Sequence, residues 1–274
     1  MKKSFLMIAL LAIISFSTSQ AATLESVMDD MLEALENGKT YKFDWKGYER
    51  FDGELHYTRT TMVVQEDPFK VYVFNHEKPH AGAQLKYSEG ENNGKANVNP
   101  GKFLPSLKMS PFANKMRAEG HQTIFESGFA FMHSIINDFV ERGGGDYSKY
   151  FTYEGEIDFN GIPCYKVVIN DPDFSYKEYT FKTGEDLYKV ARRDVFNEFL
   201  VLEKNDIKNF DDLEAGDKAM VPTSYAKKII LYIDKSNMHP IYQEIYDDKG
   251  VYEKYLFLKV KINESLTDSD FNFR

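Results

Sequence analysis

The sequence predicts an α+β protein: antiparallel strands packed with a few helices and interrupted late in the chain by a small α-rich insert. Three observations carry this. Two segments repeat apolar residues every three to four positions, most of the rest alternate with a period of two, and residues 182–213 do neither for long. A chain of 274 residues with 42% apolar and 15% aromatic residues has ample material for a core, which excludes a disordered chain. The formal charge of −9, with no compensating basic run, argues against nucleic acid, whose phosphates are gripped by cations. A single cysteine, Cys164, permits neither an intrachain disulfide nor a multi-cysteine metal site.

The chain opens with Met1-Lys2-Lys3, an apolar run from Phe5 to Phe16, and Ser19-Gln20-Ala21. A positive start, a short apolar stretch and small residues at the cleavage positions are the marks of a secretory signal over 1–21. Its removal leaves 253 residues with a formal charge of −11. No cysteine follows the run to accept a lipid, and no later segment reaches the ~20 apolar residues of a membrane span. The expected product is exported to the periplasm or cell envelope and is soluble and acidic.

Leu24, Val27, Met28, Met31, Leu32 and Leu35 then mark one amphipathic helix, stopped at Gly38. Tyr41, Phe43 and Trp45 alternate, as do Phe69, Val71 and Val73; between them Leu55, Tyr57, Thr61 and Val63 share one strand face. Asp67-Pro68 and Asn92-Asn93-Gly94 supply turns. Phe129 to Val140 is a second helix, ended by Gly143-Gly144-Gly145, and Asn160-Gly161 joins strands 151–159 and 162–169 as a hairpin. From Lys227 to Phe273 alternation resumes, with turns near Asn237–Pro240 and at Asp247–Gly250.

Motifs for catalysis are weak. His76-Glu77-Lys78-Pro79-His80 matches the zinc-protease pattern H-E-x-x-H. That chemistry needs both histidines on one helix face, and Pro79 between them would cost a helix ~3 kcal/mol. The pattern is read as a turn. Gly90–Lys95 is one residue short of a phosphate loop and has Ala96 where a magnesium-binding hydroxyl belongs. Cys164 has no evident base and reads as a structural thiol on a strand. No nucleophile elbow and no dinucleotide fingerprint is present. The expectation is a protein with no catalytic residues, no metal and no cofactor. The aromatic excess either lines a pocket for an acyl chain or fills a solid core.

The insert resembles a known module. Tyr179 and Phe181, Gly184 and Leu187, Val190-Ala191, Leu202 with Asn205, and Leu213, Gly216, Val221 and Pro222 follow in order the pattern of a LysM module. LysM is a small βααβ unit that binds N-acetylglucosamine-containing glycans such as peptidoglycan. The resemblance implies a glycan-binding site at Gly184, Glu185, Asp186 and Leu187, with Asn205 and Ile207 lining the opposite loop. Asp186 puts a carboxylate where that family usually has threonine. The remainder resembles another family: Asp67–Tyr72, Tyr87–Gly90, Asp234 with Met238-His239-Pro240, Tyr246–Gly250 and Leu266–Phe271 are similar to the domain-of-unknown-function family numbered 1571, itself similar to the LolA/LppX-like lipoprotein carriers. That resemblance implies a curved, half-open antiparallel β-barrel over helices, whose hollow can hold acyl chains. The expected organisation is a signal peptide at 1–21, a LolA-like half-barrel at 22–176, a LysM-like insert at 177–225, and the closing strands at 226–274. The expected function is a non-enzymatic periplasmic binding protein, with peptidoglycan held by the insert and a lipid or lipidated partner by the half-barrel. The alternative is a structural envelope protein that docks protein partners and has no glycan or lipid ligand.

Overall fold

The computed structural model describes residues 21–101, 104–117 and 120–274; the signal read at 1–21 lies, apart from Ala21, outside them. The first helix, α1 (Leu24–Asn37), is capped by Thr23, whose hydroxyl accepts from Ser26 N–H while the Ser26 hydroxyl accepts from Thr23 N–H. This reciprocal pair satisfies two amides that the first turn leaves unpartnered. Its apolar stripe, Val27, Met28, Met31 and Leu35, is buried.

Strands β1 (Thr40–Phe51) and β2 (Glu54–Gln65) form a hairpin across Asp52-Gly53, whose φ values of 50° and 86° suit a two-residue turn between right-twisted strands. β3 (Lys70–Asn75), β4 (Gln84–Ser88), β5 (Ala96–Asn99) and β6 (Leu107–Met109) continue the meander. A short α2 (Asn114–Arg117) and the longer α3 (Ala130–Arg142) follow. β7 (Phe151–Phe159) and β8 (Ile162–Asn170) turn at Asn160-Gly161 as expected. After β9 (Tyr176–Thr180), α4 (Leu187–Arg193), α5 (Glu198–Asn205) and β10 (Lys218–Pro222), the chain closes with β11 (Lys228–Asp234), β12 (Pro240–Tyr246) and β13 (Val251–Ile262).

Eleven of these strands make one antiparallel sheet in the order β6-β5-β4-β3-β2-β1-β13-β12-β11-β8-β7. β6 and β7 end it as unjoined edges, so the sheet is open rather than a closed barrel. Register shifts at Lys42/Asp44, Tyr153/Glu156 and Ile245/Tyr246 insert extra residues that bend the strands. Helices α1 and α3 pack on one side of the sheet, where Met28, Met31, Phe129, Ile135 and Phe139 join Tyr41, Phe43, Val71 and Leu231 in the main core.

The segment between β8 and β11 has a core of its own. β9 pairs only with β10, and Phe181, Leu187, Val190, Phe196, Val201 and Leu213 close over this two-stranded sheet. Tyr225, within the expected 177–225 boundary, instead packs in the main core. Leu55 and Tyr57 share a face of β2 as alternation requires, yet they are 47% and 39% exposed. The pairing of β2 with β3 begins only at Thr60, so the hairpin tip overhangs the core. Residues 76–80 form a loop after β3, not a helix, and His76 Nε2 lies 2.8 Å from the Thr61 hydroxyl. Among the described residues no group of three His, Cys, Asp or Glu side chains is placed to hold a metal ion, and no helix is long and apolar enough to cross a membrane. Cys164 is buried on β8, and burial pushes its thiol up to about 11.

Candidate functional site

Between α3, residues 111–116 and 120–128, and the facing strands lies a cavity of about 230 Å³. Period-two alternation on β1 turns Phe43 and Trp45 toward it; Met62, Phe257, Phe131 and Met132 complete most of the apolar wall. Trp45 packs on Tyr255 with ring centroids 5.1 Å apart. The volume exceeds the ~150 Å³ of an apolar cavity that accepts benzene. It falls short of the ~300–1,000 Å³ that encloses a drug-sized ligand, so it suits one slender chain.

The lining also carries polar side chains, among them Glu49, Thr60, Gln122, Glu126 and Gln243. Glu49 is the inward residue two steps beyond Gly47 on β1, and Tyr255 Oη donates to its Oε1 at 2.6 Å. Burial pushes the Glu49 carboxyl up; His121 opposes the shift and Glu253 adds to it. Glu126 is occupied by its own turn, accepting from the Thr123 N–H at 2.6 Å, while Tyr188 Oη donates to it at 3.1 Å. Thr60 and Gln243 differ. They are 5% and 2% exposed, and among the described residues the Thr60 hydroxyl has no hydrogen-bond partner. Buried polar groups are ordinarily paired, so an unpartnered hydroxyl that faces a cavity marks it.

Behind this wall a buried polar network ties the 176–222 segment to the sheet. His121 Nδ1 stands 3.0 Å from Glu253 Oε1, and its Nε2 stands 3.0 Å from the Arg50 carbonyl oxygen. The Arg50 carbonyl can only accept, and an ionised Glu253 accepts as well, an arrangement that favours the doubly protonated ring. Burial alone would lower its pKa, but the Glu253 hydrogen bond and the charges of Glu49 and Glu253 outweigh burial and raise it. Asn197 and Tyr225 also donate to Glu253, at 2.7 and 3.0 Å. Glu198 accepts from Arg117 at 3.0 Å and Arg192 at 2.5 Å, and the Arg117 guanidinium lies 3.3 Å above the Phe210 ring. Arg50 pairs with Asp247 and reaches Glu203 of α5 at 3.5 Å.

The six residues singled out for glycan binding fall in two places. Gly184, Glu185, Asp186 and Leu187 form the loop into α4. Gly184 has a φ of +84° and open space beside it. The Glu185 carboxylate accepts from Tyr179 Oη at 2.7 Å and Lys182 N–H at 2.9 Å and pairs with Arg193 at 2.6 Å. These bonds, Tyr179's first, hold it down at about 2. Asp186 caps α4, accepting from Lys189 N–H at 2.8 Å, and Leu187 is buried in the small core. Asn205 ends α5 with its amide engaged three times: its Nδ2 donates to the Val201 and Met220 carbonyls, and its Oδ1 accepts from Met220 N–H. Ile207 lines a separate recess of about 410 Å³ with Arg50, Phe51, Phe199 and Tyr252, a recess that none of residues 184–187 lines.

Thr60, Gln243 and Glu49 were not singled out from the sequence. Glu49 had a signal, as the acid at an inward position of an alternating strand; Gln243 and Thr60 had none without knowing which face is covered.

A family model described as "Protein of unknown function (DUF1571)" matches residues 38–192. The match runs past the start of the insert into α4 and ends before the closing strands. No curated protein matches the sequence. Among solved structures the chain is similar to the Mycobacterium tuberculosis lipoprotein LppX (13% identity, 88% of this chain and 96% of that one, TM-score 0.43). It is also similar to an uncharacterized conserved protein from Thermus thermophilus (10%, 90% and 91%, 0.40). A third is a LolA superfamily protein from Nitrosomonas europaea (10%, 92% and 98%, 0.35). These likenesses say nothing of ligand or activity.

Proposed function

The chain belongs to the DUF1571 family of proteins of unknown function, and proceeding from that membership we propose that it is a binding protein of the cell envelope without catalytic activity. Its hollow takes the hydrocarbon chain of a lipid or of a lipidated partner, and the 177–225 insert holds it to peptidoglycan. The observation that carries the first part is the cavity beneath the sheet, walled by Phe43, Trp45, Met62, Phe131 and Phe257. Apolar walls with a few placed polar groups are the usual make-up of a small-ligand pocket. Export rests on the leader at 1–21 and leads to a periplasmic location. The glycan part is supported by the β-α-α-β order of the insert and by the open backbone at Gly184. With Asp186 and Asn205 engaged internally, glycan contacts fall to the main chain of residues 184–186 and to the exposed side of the loop.

Mass spectrometry of organic extracts from the purified protein tests the lipid part, and a bound acyl species is the expected result. An extract with no acyl species, together with no uptake of added amphiphile, would overturn it. Pelleting with purified sacculi tests the glycan part. The full mature chain should be retained, and Gly184→Trp together with Asp186→Lys should abolish retention. Retention that survives both substitutions removes the loop from the site.

A second reading, a structural envelope protein that docks protein partners, draws on Leu104, Leu107 and Phe112, which are exposed. It also draws on the buried network that makes the insert part of the framework. It takes first place if neither lipid nor sacculus is bound.

A further inference from the structure

The character of the cavity's polar end says more than that a chain fits. Its lining holds two carboxylates, Glu49 and Glu126, and among the described lining residues there is no Lys, Arg or His. The positive end of α3, which opens toward the cavity at Ser127 and Gly128, already faces the Glu66 carboxyl, whose charged form the N–H groups of Phe129 and Ala130 favour. An anionic head would therefore enter a space whose described lining holds no cation to receive it, which is costly. The lining group left wanting a partner is the Thr60 hydroxyl, and the primary amide of Gln243 lines the same space, both residues being nine-tenths buried. Between them they offer donors and acceptors and no net charge. Of the two acids, Glu49 is bonded by Tyr255 and raised by burial toward its neutral form, and Glu126 is already engaged by Arg192, Thr123 and Tyr188, so neither offers an ammonium head a free counter-charge.

We infer that the hollow selects a single-chain amphiphile with an uncharged, hydrogen-bonding head, an ester, amide or hydroxyl, bound by the Thr60 hydroxyl and the Gln243 amide. This deepens the lipid reading above and rests on it. The acyl tail lies against Phe43, Met62, Phe131 and Phe257, and the head takes the hydrogen bond that the Thr60 hydroxyl leaves unmade.

The chain has one tryptophan, Trp45, and it lines this cavity, so its fluorescence reports occupancy directly. Monolaurin, laurate and dodecylamine, each below its critical micelle concentration at neutral pH, present one chain length with a neutral, an anionic and a cationic head. Monolaurin should shift Trp45 emission and bind about tenfold or more tighter than either charged probe, a difference of ~1.4 kcal/mol. Thr60→Val and Gln243→Leu should each weaken monolaurin about three- to tenfold and leave laurate unchanged, and Thr60→Ser, which keeps the hydroxyl, should bind as wild type. Thr60→Val should unfold at the same or a higher temperature, since it removes a buried hydroxyl that lacks a partner. A structural role would lower that temperature instead. Laurate or dodecylamine binding as tightly as monolaurin to the wild-type chain overturns the head-group inference and leaves the lipid reading standing. Failure of all three probes to change Trp45 emission overturns both.

Discussion

Glu198→Gln keeps the side chain's size and removes the charge that two arginines share. The carboxylate is 1% exposed, and Arg117, which donates to it at 3.0 Å, is 5% exposed. Water is not positioned to replace the bond. Removing one member of a buried ion pair leaves the other as an uncompensated charge and costs about 3–5 kcal/mol. Arg192 retains Glu126 at 3.5 Å, and Arg117 keeps the face of Phe210 and the fields of Glu126 and Asp211, which places the expected loss near the lower end, about 3 kcal/mol. For a chain of this size each kcal/mol moves the melting temperature by ~2–4 °C, so the midpoint followed by circular dichroism should fall by roughly 6–12 °C. Because the pair joins α2 to α5, amide exchange in α5 should accelerate before that of the main sheet. A double variant, Arg117→Met with Glu198→Leu, should recover part of the loss, since it removes the stranded Arg117 charge while Arg192 keeps Glu126. A melting temperature for Glu198→Gln within about 2 °C of wild type would refute the view that this network locks the insert in place.

Three further outcomes follow from named groups. Burial raises the Glu66 carboxyl to about 7, against the pull of the Phe129 and Ala130 N–H groups and Lys39. The folded state holds that proton longer than the unfolded chain, so stability falls as pH rises from ~4.5 to ~7, by roughly 3 kcal/mol, and then levels. In urea titrations Glu66→Gln should lack this decline. The raised imidazolium of His121 contributes stability that is full below about pH 6.5 and is lost as pH rises through its folded value. The stability gap between wild type and His121→Gln should therefore narrow on the alkaline side, and the ring's nuclear magnetic resonance titration should lie above that of a free histidine. At Gly47 an added Cβ would sit 2.2 Å from the Trp45 ring, so Gly47→Ala should push the indole off Tyr255. A red shift of Trp45 emission with loss of the amphiphile response is expected, and an unchanged spectrum would contradict the packing described.

The two principal helices, the hairpin at Asn160-Gly161, the closing strands and the distinct 182–213 texture were all legible in the sequence. Each depends on neighbours within a few residues: a 3.6 or 2.0 period, a glycine that stops a helix, a turn that needs positive φ. Asp52-Gly53 carried the same kind of signal as Asn160-Gly161. The isolated core of the insert could likewise be anticipated from Leu187, Val190, Ala191 and Leu202.

What pairs across long separations was not legible. Glu253 meets His121 across 132 residues and Asn197 across 56, and Arg117 meets Glu198 across 81. In sequence each is one charged or polar residue among many in an acidic chain. The overhang of Leu55 and Tyr57 depends on where β3 begins to pair, and the openness of the sheet depends on β6 and β7 ending unjoined. The cavity belongs to this second class. Local pattern determined that Trp45, Thr60 and Gln243 lie on strands. Only tertiary packing decided that all three face one space whose described lining holds no cation, because burial and partnership are properties of what folds over a residue.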